Sequence, residues 1–164
     1  MKAKINIIYL LLAFSILAFT GCTDKDGDDE LNTNVYYSEW ITPSAWSGDA
    51  GDWYFSVDAP DLKADIVESG VVLAYVSLDG DVYEAPVRPL PTYAVGAFWS
   101  FLIPDYEIIE FTSDMISKPV TAGNNFRFIA IPGNTVTLKS ASINLEDLRS
   151  MPYKDICKLF NIPE

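Results

Sequence analysis

From residue 34 onward, the order of apolar and polar positions predicts a chain that is mainly β. Trp53–Val57 alternates apolar and polar side chains, which is the period of a strand with two distinct faces. Val71–Leu78 is β-branched and almost continuously apolar, a pattern typical of a central strand buried on both faces. Further strands are predicted at Val35–Trp40, Asp81–Val87, Tyr93–Ile103, Tyr106–Thr112, Phe126–Ile131 and Thr135–Lys139. Short strands separated by turns predict a single β-sandwich, with a partly open barrel as the alternative.

Turn residues divide these strands. Asp79-Gly80 predicts a hairpin after the central strand, because both residues tolerate positive φ. Gly96 suggests a bulge within its strand, and Ser47–Asp52 is expected to be a loop. Prolines at 86, 89 and 91 are expected to end the return strand after that hairpin.

Two segments have a helical period instead. A short helical turn is expected after Ala59, with Leu62, Ile66 and Val67 on one face and Gly70 as the C-cap glycine. Near the C-terminus, apolar residues recur at i, i+3, i+4 and i+7, which predicts a short amphipathic helix within residues 145–161. Those residues are Tyr153, Ile156, Cys157 and Phe160. We expect this helix to dock on one edge or end of a sheet.

The N-terminus has the pattern of an address signal. Lys2 and Lys4 precede the apolar run Ile5–Phe19, and Gly21 directly precedes Cys22. Residues 1–21 therefore resemble a bacterial lipoprotein signal peptide with its lipobox, in the relaxed form, with Phe19 in place of leucine, that is common in Bacteroidota. The resemblance implies a diacylglycerol on the Cys22 thiol and a third acyl chain, such as palmitate, on its amine. Several acyl chains together anchor a protein stably in a membrane.

A transmembrane anchor and an ordinary secretion signal are the alternatives to lipidation. The apolar run is shorter than the roughly 20 residues that span a bilayer. Residues 22–33 are then the lipidated cysteine and a tether, whose segment 23–30 contains five acids and no large apolar side chain.

The acidic tether resembles the signal that exports Bacteroidota lipoproteins to the cell surface. A periplasmic-facing location at the outer membrane is the alternative. Asp24, Asp26 and Asp28 also superficially resemble a calcium loop, but glycine stands at position 4 instead of 6, and position 12 is Val35 instead of glutamate. We therefore predict no metal site.

Composition excludes several function classes. The 164 residues include 23 acids, 11 bases and no histidine, a net charge of −12. Residues 1–21 contain two of the bases and none of the acids, so their removal takes the charge to −14. Such a charge disfavours nucleic acid and anionic lipid as partners. Without histidine there is no imidazole base to activate Cys157, which we expect to be a small buried apolar residue.

An aromatic cluster offers the best candidate for ligand binding. Its members fall within residues 36–54: Tyr36, Tyr37, Trp40, Trp46, Trp53 and Tyr54. Sugars stack on such rings, and Asp49 and Asp52 of the neighbouring loop could accept hydrogen bonds from hydroxyl groups. A glycan site would therefore comprise Trp46, Tyr54, Asp49 and Asp52, with Trp46 the ring most readily placed outside. The alternative, which we favour, is that these rings fill the core.

The acid pairs and Arg127 are weaker candidates for functional residues. The acid pairs Asp79/Asp81, Glu107/Glu110 and Asp49/Asp52 have a spacing without specificity in so acidic a chain, so we predict no catalytic residue and no cofactor. Arg127 lies between Phe126 and Phe128 and should point to the opposite side of its strand. It is expected to pair with an acid or to cap an aromatic ring, and anion binding is the alternative.

Three blocks of sequence resemble a family. They are Tyr36-Tyr37-Ser38-x-Trp40, Gly70-Val71-Val72-Leu73-x-Tyr75 and Phe126-Arg127-Phe128-x-x-Ile131-Pro132-Gly133. Together they resemble a group of uncharacterised Bacteroidota surface lipoproteins, each with one small β-rich domain behind a lipid anchor. The resemblance implies a fold and a location, and no established activity. We expect residues 34–164 to be a non-catalytic binding or structural domain, held to the membrane through Cys22, whose partner is a glycan or an envelope protein. An enzyme is the third alternative.

Overall fold

Nine strands form two antiparallel sheets in the described part of the chain. A computed structural model describes residues 35–82, 87–133, 143 and 145–164, which lie in the unit Thr33–Glu164. The strands are β1 (Tyr36–Tyr37), β2 (Ser47–Asp49), β3 (Asp52–Asp58), β4 (Val71–Ser77), β5 (Arg88–Pro89), β6 (Thr92–Ala94), β7 (Ala97–Asp105), β8 (Ile108–Ser113) and β9 (Asn125–Ile131). The helices are α1 (Ala64–Ser69), α2 (Leu145–Ser150) and α3 (Tyr153–Leu159). The first sheet has the order β1-β9-β4-β5 and the second β2-β3-β8-β7-β6.

The two sheets enclose the main core, so the mainly β, sandwich-like fold predicted from the sequence is confirmed. Phe55 of β3 and Phe111 of β8 point inward from the second sheet, and Phe126 of β9 meets both rings at centroid distances of 5.0 Å. Such aromatic pairs contribute roughly 0.5–1.5 kcal/mol each beyond the burial of their area. The inward-facing rings therefore hold the sheets together.

The central strand β4 is buried on both faces, as its continuous apolar run predicts. Ala74 and Val76 face the second sheet, whereas Leu73 and Tyr75 belong to a second core that includes residues of α2 and α3. The prediction that the C-terminal helix docks on an edge or end of a sheet is wrong. It covers a face, because the outer side of β4 and β9 is also apolar and must be shielded from water.

The C-terminal helical segment is two short helices instead of the single helix predicted within 145–161. Pro152 adopts an extended conformation, with φ −58° and ψ 147°, between α2 and α3. The proline ring also disfavours helical geometry at Met151. The predicted apolar face is otherwise present, since Tyr153, Ile156 and Cys157 are buried.

Residues 92–105 form a tight hairpin instead of the single strand predicted at Tyr93–Ile103. Val95 and Gly96 both have positive φ, 52° and 76°, and Ala94 pairs with Ala97 across them. Two consecutive residues of positive φ are the geometry of a two-residue type I′ turn. Gly96 is therefore a turn residue and not a bulge. A register shift occurs instead between Leu102 and Asp105 of β7.

Other boundaries also differ. The segment expected to be a loop at Ser47–Asp52 forms the hairpin of β2 and β3, because Gly51 supplies a positive φ of 87° in its turn. β4 pairs with β5 at 88–89 instead of the predicted Asp81–Val87, of which residues 83–86 lie outside the described residues. The predicted strand Thr135–Lys139 lies outside them as well.

Gly70 ends α1, as expected, but for a different reason. Its φ is −98°, which is not the left-handed conformation of the usual C-cap glycine. A Cβ at this position would lie 2.3 Å from the carbonyl oxygen of Ile131. Glycine is therefore required because the backbones of the α1–β4 junction and of β9 approach each other too closely for a side chain.

The hairpin tip yields a stability prediction. Val95 is β-branched and holds a left-handed conformation that costs an L-residue roughly 1–2 kcal/mol. Asparagine is favoured at this turn position, so Val95→Asn should raise the free energy of unfolding by about 1 kcal/mol. Urea denaturation measures the change.

Val120→Asn is the matched control, because Val120 is also exposed but is not among the residues of positive φ. It should leave stability within about 0.5 kcal/mol of the parent chain. Equal stabilisation by both substitutions would contradict backbone strain at Val95.

Candidate functional site

Trp46 lies in the core, so the expectation that it stands outside as a stacking platform is wrong. It is 2% exposed, and its ring meets the rings of Phe55, Trp99 and Phe126 at centroid distances of 4.9, 5.9 and 5.8 Å. Burial of an indole in this aromatic cluster gains more free energy than exposure beside a loop. The interpretation of the cluster as core therefore holds for Trp46.

The other three residues of the predicted glycan site remain at the surface. Tyr54 is 37% exposed on the outer side of β3, opposite Ser47 of β2. Asp49 and Asp52 face each other across the β2–β3 hairpin and are both exposed. The structure thus brings Tyr54, Asp49 and Asp52 onto one hairpin and separates them from Trp46.

The remaining rings of the cluster are divided between core and surface. Trp53 packs against the main core, and the Lys118 ammonium lies 5.5 Å above its ring. Trp40 packs against the second core, with its ring 5.6 Å from that of Tyr153. Trp46 and Trp53 each keep a buried indole N–H without a partner among the described residues.

Arg127 is the most unusual buried side chain. It is 2% exposed and points away from Phe126 and Phe128, as predicted, into the second core. Its guanidinium donates hydrogen bonds to the Ser38 carbonyl at 2.8 Å, and to the Tyr153 hydroxyl and the Pro163 carbonyl at 2.5 Å each. One cation on β9 therefore connects the residue that follows β1, helix α3 and the C-terminal tail.

Aromatic rings surround this cation in place of an acid. The rings of Tyr37, Trp40 and Tyr153 lie 5.3, 5.8 and 6.0 Å from the guanidinium carbon. Their π faces attract a cation, and more strongly when water is excluded. Of the two roles predicted for Arg127, the aromatic contact is present. In the described part of the chain, no carboxylate lies within salt-bridge distance of it.

The buried hydroxyl and thiol groups beside Arg127 stay protonated. Burial raises the pKa of Tyr153 to about 12, although the Arg127 guanidinium opposes the shift. Burial also raises the pKa of Tyr75 and of the Cys157 thiol. A thiol held protonated is a poor nucleophile, in keeping with the prediction that Cys157 is a small buried apolar residue.

The acid pairs are spread over separate turns and one strand. Asp81 forms a bidentate salt bridge with Arg88. The Asp79 backbone N–H donates a hydrogen bond to the side-chain oxygen of Asn124. Glu110 accepts a hydrogen bond from Ser56, and Glu107 lies in the β7–β8 turn with φ 64°. Among the described residues, no three acids or cysteines are placed to hold a metal ion.

A cavity of about 330 Å³ lies beside β4, and the sequence reasoning missed it. Residues 72–75, residues 89–91, Phe101 and Arg149 line it. None of these described lining residues carries a carboxylate. The signal that could have found it is the pair Pro89 and Pro91, because prolines are confined to edge strands and strand ends and so indicate that β5 is a short strand beside β4.

Comparison with known proteins gave no match: no protein-family model, curated protein or solved structure is significantly similar to the chain. Within the described residues, no helix is both long and apolar enough to cross a membrane. Cys22, the predicted lipidation site, lies outside the described residues.

The arginine contact predicts a large and specific loss of stability. Arg127→Ala removes a donor from three acceptors and a cation from three rings, so the free energy of unfolding should fall by about 2–4 kcal/mol. Arg127→Lys should recover less than half of this, because an ammonium cannot reproduce the planar contacts of a guanidinium. Denaturant unfolding measures both values.

Lys154→Ala is the control, since Lys154 is an exposed cation of α3. It should change stability by no more than about 0.5 kcal/mol. Full recovery by Arg127→Lys would contradict the role assigned to the guanidinium plane.

Proposed function

We propose that this chain is a lipid-anchored protein of the outer membrane, exposed at the cell surface, whose domain acts by binding or as a structural accessory and not by catalysis. The observation that carries the anchor is Cys22 directly after Gly21, at the end of the apolar run Ile5–Phe19. The acidic segment that follows supports export to the surface, because it resembles the signal that exports Bacteroidota lipoproteins. The periplasmic face of the same membrane is the alternative.

An apolar hairpin tip supports a binding role. Tyr93, Val95 and Phe98 are 68, 46 and 44% exposed, and Tyr93 lies directly opposite Phe98 in the β6–β7 ladder. Val95 holds the strained conformation of the turn. Clustered apolar groups at a surface mark contact sites, and strain in a backbone often accompanies function. The exposed apolar tip therefore supports a binding role for the domain.

Glycan binding is the second candidate. Its support is now Tyr54, an exposed ring with two exposed carboxylates, Asp49 and Asp52, on the same hairpin. A sugar could stack on the ring and donate hydroxyl hydrogen bonds to an acid. Trp46 takes no part, because its ring is enclosed by other aromatic rings.

The anchor is tested by Cys22→Ser. This substitution removes the thiol that accepts the diacylglycerol, so the variant should incorporate no labelled palmitate and should leave the membrane fraction. Cys157→Ser is the control, because Cys157 is a free buried cysteine; its variant should still be labelled and membrane-bound. Labelling that persists in Cys22→Ser would contradict lipidation at this residue.

The surface location can be tested in the same cells. Antibody against the folded domain should stain intact cells that produce the parent chain. Staining that requires permeabilised cells would instead assign the domain to the periplasmic face.

The glycan hypothesis predicts that Tyr54→Ala abolishes binding to glycan arrays without loss of stability, because the side chain is at the surface. Tyr106→Ala is the control, since Tyr106 is an exposed tyrosine of another turn. An array signal that is absent from the parent chain, or that is equal in both variants, would contradict a site at Tyr54.

A further inference from the structure

We propose that the open edge of β4 at Val72 is a docking site for an extended apolar peptide segment that carries a carboxylate and belongs to a partner protein. This inference deepens the proposed binding role and rests on it. It assigns that role to a strand edge, and it names the chemistry of the partner.

The backbone polar groups of Ala74 and Val72 face the same side of β4. The Leu90 N–H donates to the Ala74 carbonyl at 2.8 Å, so Ala74 directs its polar groups toward β5. The N–H and C=O of one residue in a strand point to the same side, and neighbouring residues alternate. Val72, two residues earlier, therefore directs its N–H and C=O to the same side as Ala74.

The opposite side of the sheet gives the same orientation. Ala74 is paired with Phe128 of β9, yet the Phe128 carbonyl accepts its hydrogen bond from Ser38 on the far side. Ala74 and Phe128 thus form a non-hydrogen-bonded pair, and so do Val72 and Ala130, one alternation further along. The polar backbone groups of Val72 point away from β9.

No described strand meets these groups. β5 pairs with β4 only at Tyr75 and Val76. After Leu90 the chain leaves β4, and Thr92, which would continue the pairing opposite Val72, instead pairs with Trp99 of β7 in the other sheet. Val72 therefore presents one donor and one acceptor along an edge, which is a template for another strand.

The cavity follows this same edge. Its wall includes residues 72, 73, 74 and 75, which alternate between the two faces of the sheet. A cavity over one face would be lined by every second residue, so a wall of consecutive residues places it along the edge of the strand. Leu90 and Phe101 complete an apolar surface that can receive the side chains of an added strand.

Arg149 gives the site its charge. Its side chain is 57% exposed, and it meets Glu146 at 3.4 Å in a surface pair that contributes little. A carboxylate in the cavity could accept a bidentate pair of hydrogen bonds from the guanidinium. A cation at an apolar cavity of a chain whose net charge is −12 favours an acidic partner segment.

Other occupants fit these observations less well. An alkyl acid could use the apolar wall and Arg149, but it has no donor and acceptor spaced to pair with Val72. A second copy of the chain would bring a second net charge of −12, which opposes self-association. A peptide backbone with an acidic side chain or terminus satisfies all three features.

The test uses the ¹⁵N-labelled full chain and acetylated hexapeptides that alternate β-branched and polar residues and end in Asp or Glu, such as Ac-Val-Thr-Val-Thr-Val-Glu. Binding should shift the amide signals of Val72 and Ala74 and slow hydrogen exchange at Val72 at least tenfold. N-methylation of the central valine should weaken binding about fivefold, because it removes one ladder hydrogen bond.

Charge is tested separately. Arg149→Gln should weaken binding of the same peptide about tenfold, through loss of a charge-assisted hydrogen bond. Lys158→Gln makes the same charge change at an exposed position of α3 away from the cavity, and should leave binding unchanged. The amide spectrum of each variant without peptide reports whether its fold is retained.

Four results would overturn the proposal. They are no shift at Val72 with any of these peptides, equal binding by the N-methylated peptide, the same shifts with decanoate, and shifts that depend on protein concentration without peptide. None of these results would alter the palmitate labelling at Cys22 or the cell-surface staining. Failure of the edge site is therefore distinguishable from failure of the proposed anchor and location.

Discussion

The rest of the structure depends on one pair of strands, β4 and β9. Their seven-residue ladder runs from the pair Val71 and Ile131 to the pair Ser77 and Asn125, and neither strand has an exposed residue. Two strands that are apolar on both faces must be covered on both sides. The second sheet covers one face and the C-terminal helices the other, so the layered arrangement follows from the composition of this pair.

The C-terminal helices that cover the outer face of β4 and β9 also bury the charge of Arg127. A guanidinium on the outer face of β9 lies inside a core, where an unpaired charge is costly. Two carbonyls, one hydroxyl and three aromatic rings surround it, which spreads the charge without burying a carboxylate as well. The same contacts connect Tyr37 of the first strand to Pro163 near the end of the chain. The residues that stabilise the buried charge therefore also hold the two ends of the domain together.

The sequence predicts the elements that repeat a hydrophobic pattern, and it does not predict the orientation or backbone conformation of single residues such as Trp46 and Val95. The apolar run of β4, the alternation of β3 and the buried face of α3 all repeat a pattern, and each is found. Trp46 lies just before a strand, where no alternation extends to it, so its inward direction follows from tertiary packing alone. Val95 has almost no local preference for positive φ, and only the pairing of Ala94 with Ala97 reveals the turn. Residues 1–34, which carry the strongest functional pattern, lie outside the described residues.

The open edge at Val72 is a consequence of how the chain changes sheets. After pairing briefly with β4, the chain leaves the first sheet at Leu90 and enters β6, whose first residue, Thr92, pairs with Trp99 of β7. Among the described strands, none then lies beside the earlier half of β4 on that side, although its side chains are buried or half-buried on both faces. Proteins usually protect such an edge with a charge, a bulge or a covering segment. Here a cavity and a single arginine border it, an arrangement that favours controlled pairing with an acidic strand over indiscriminate pairing with any strand.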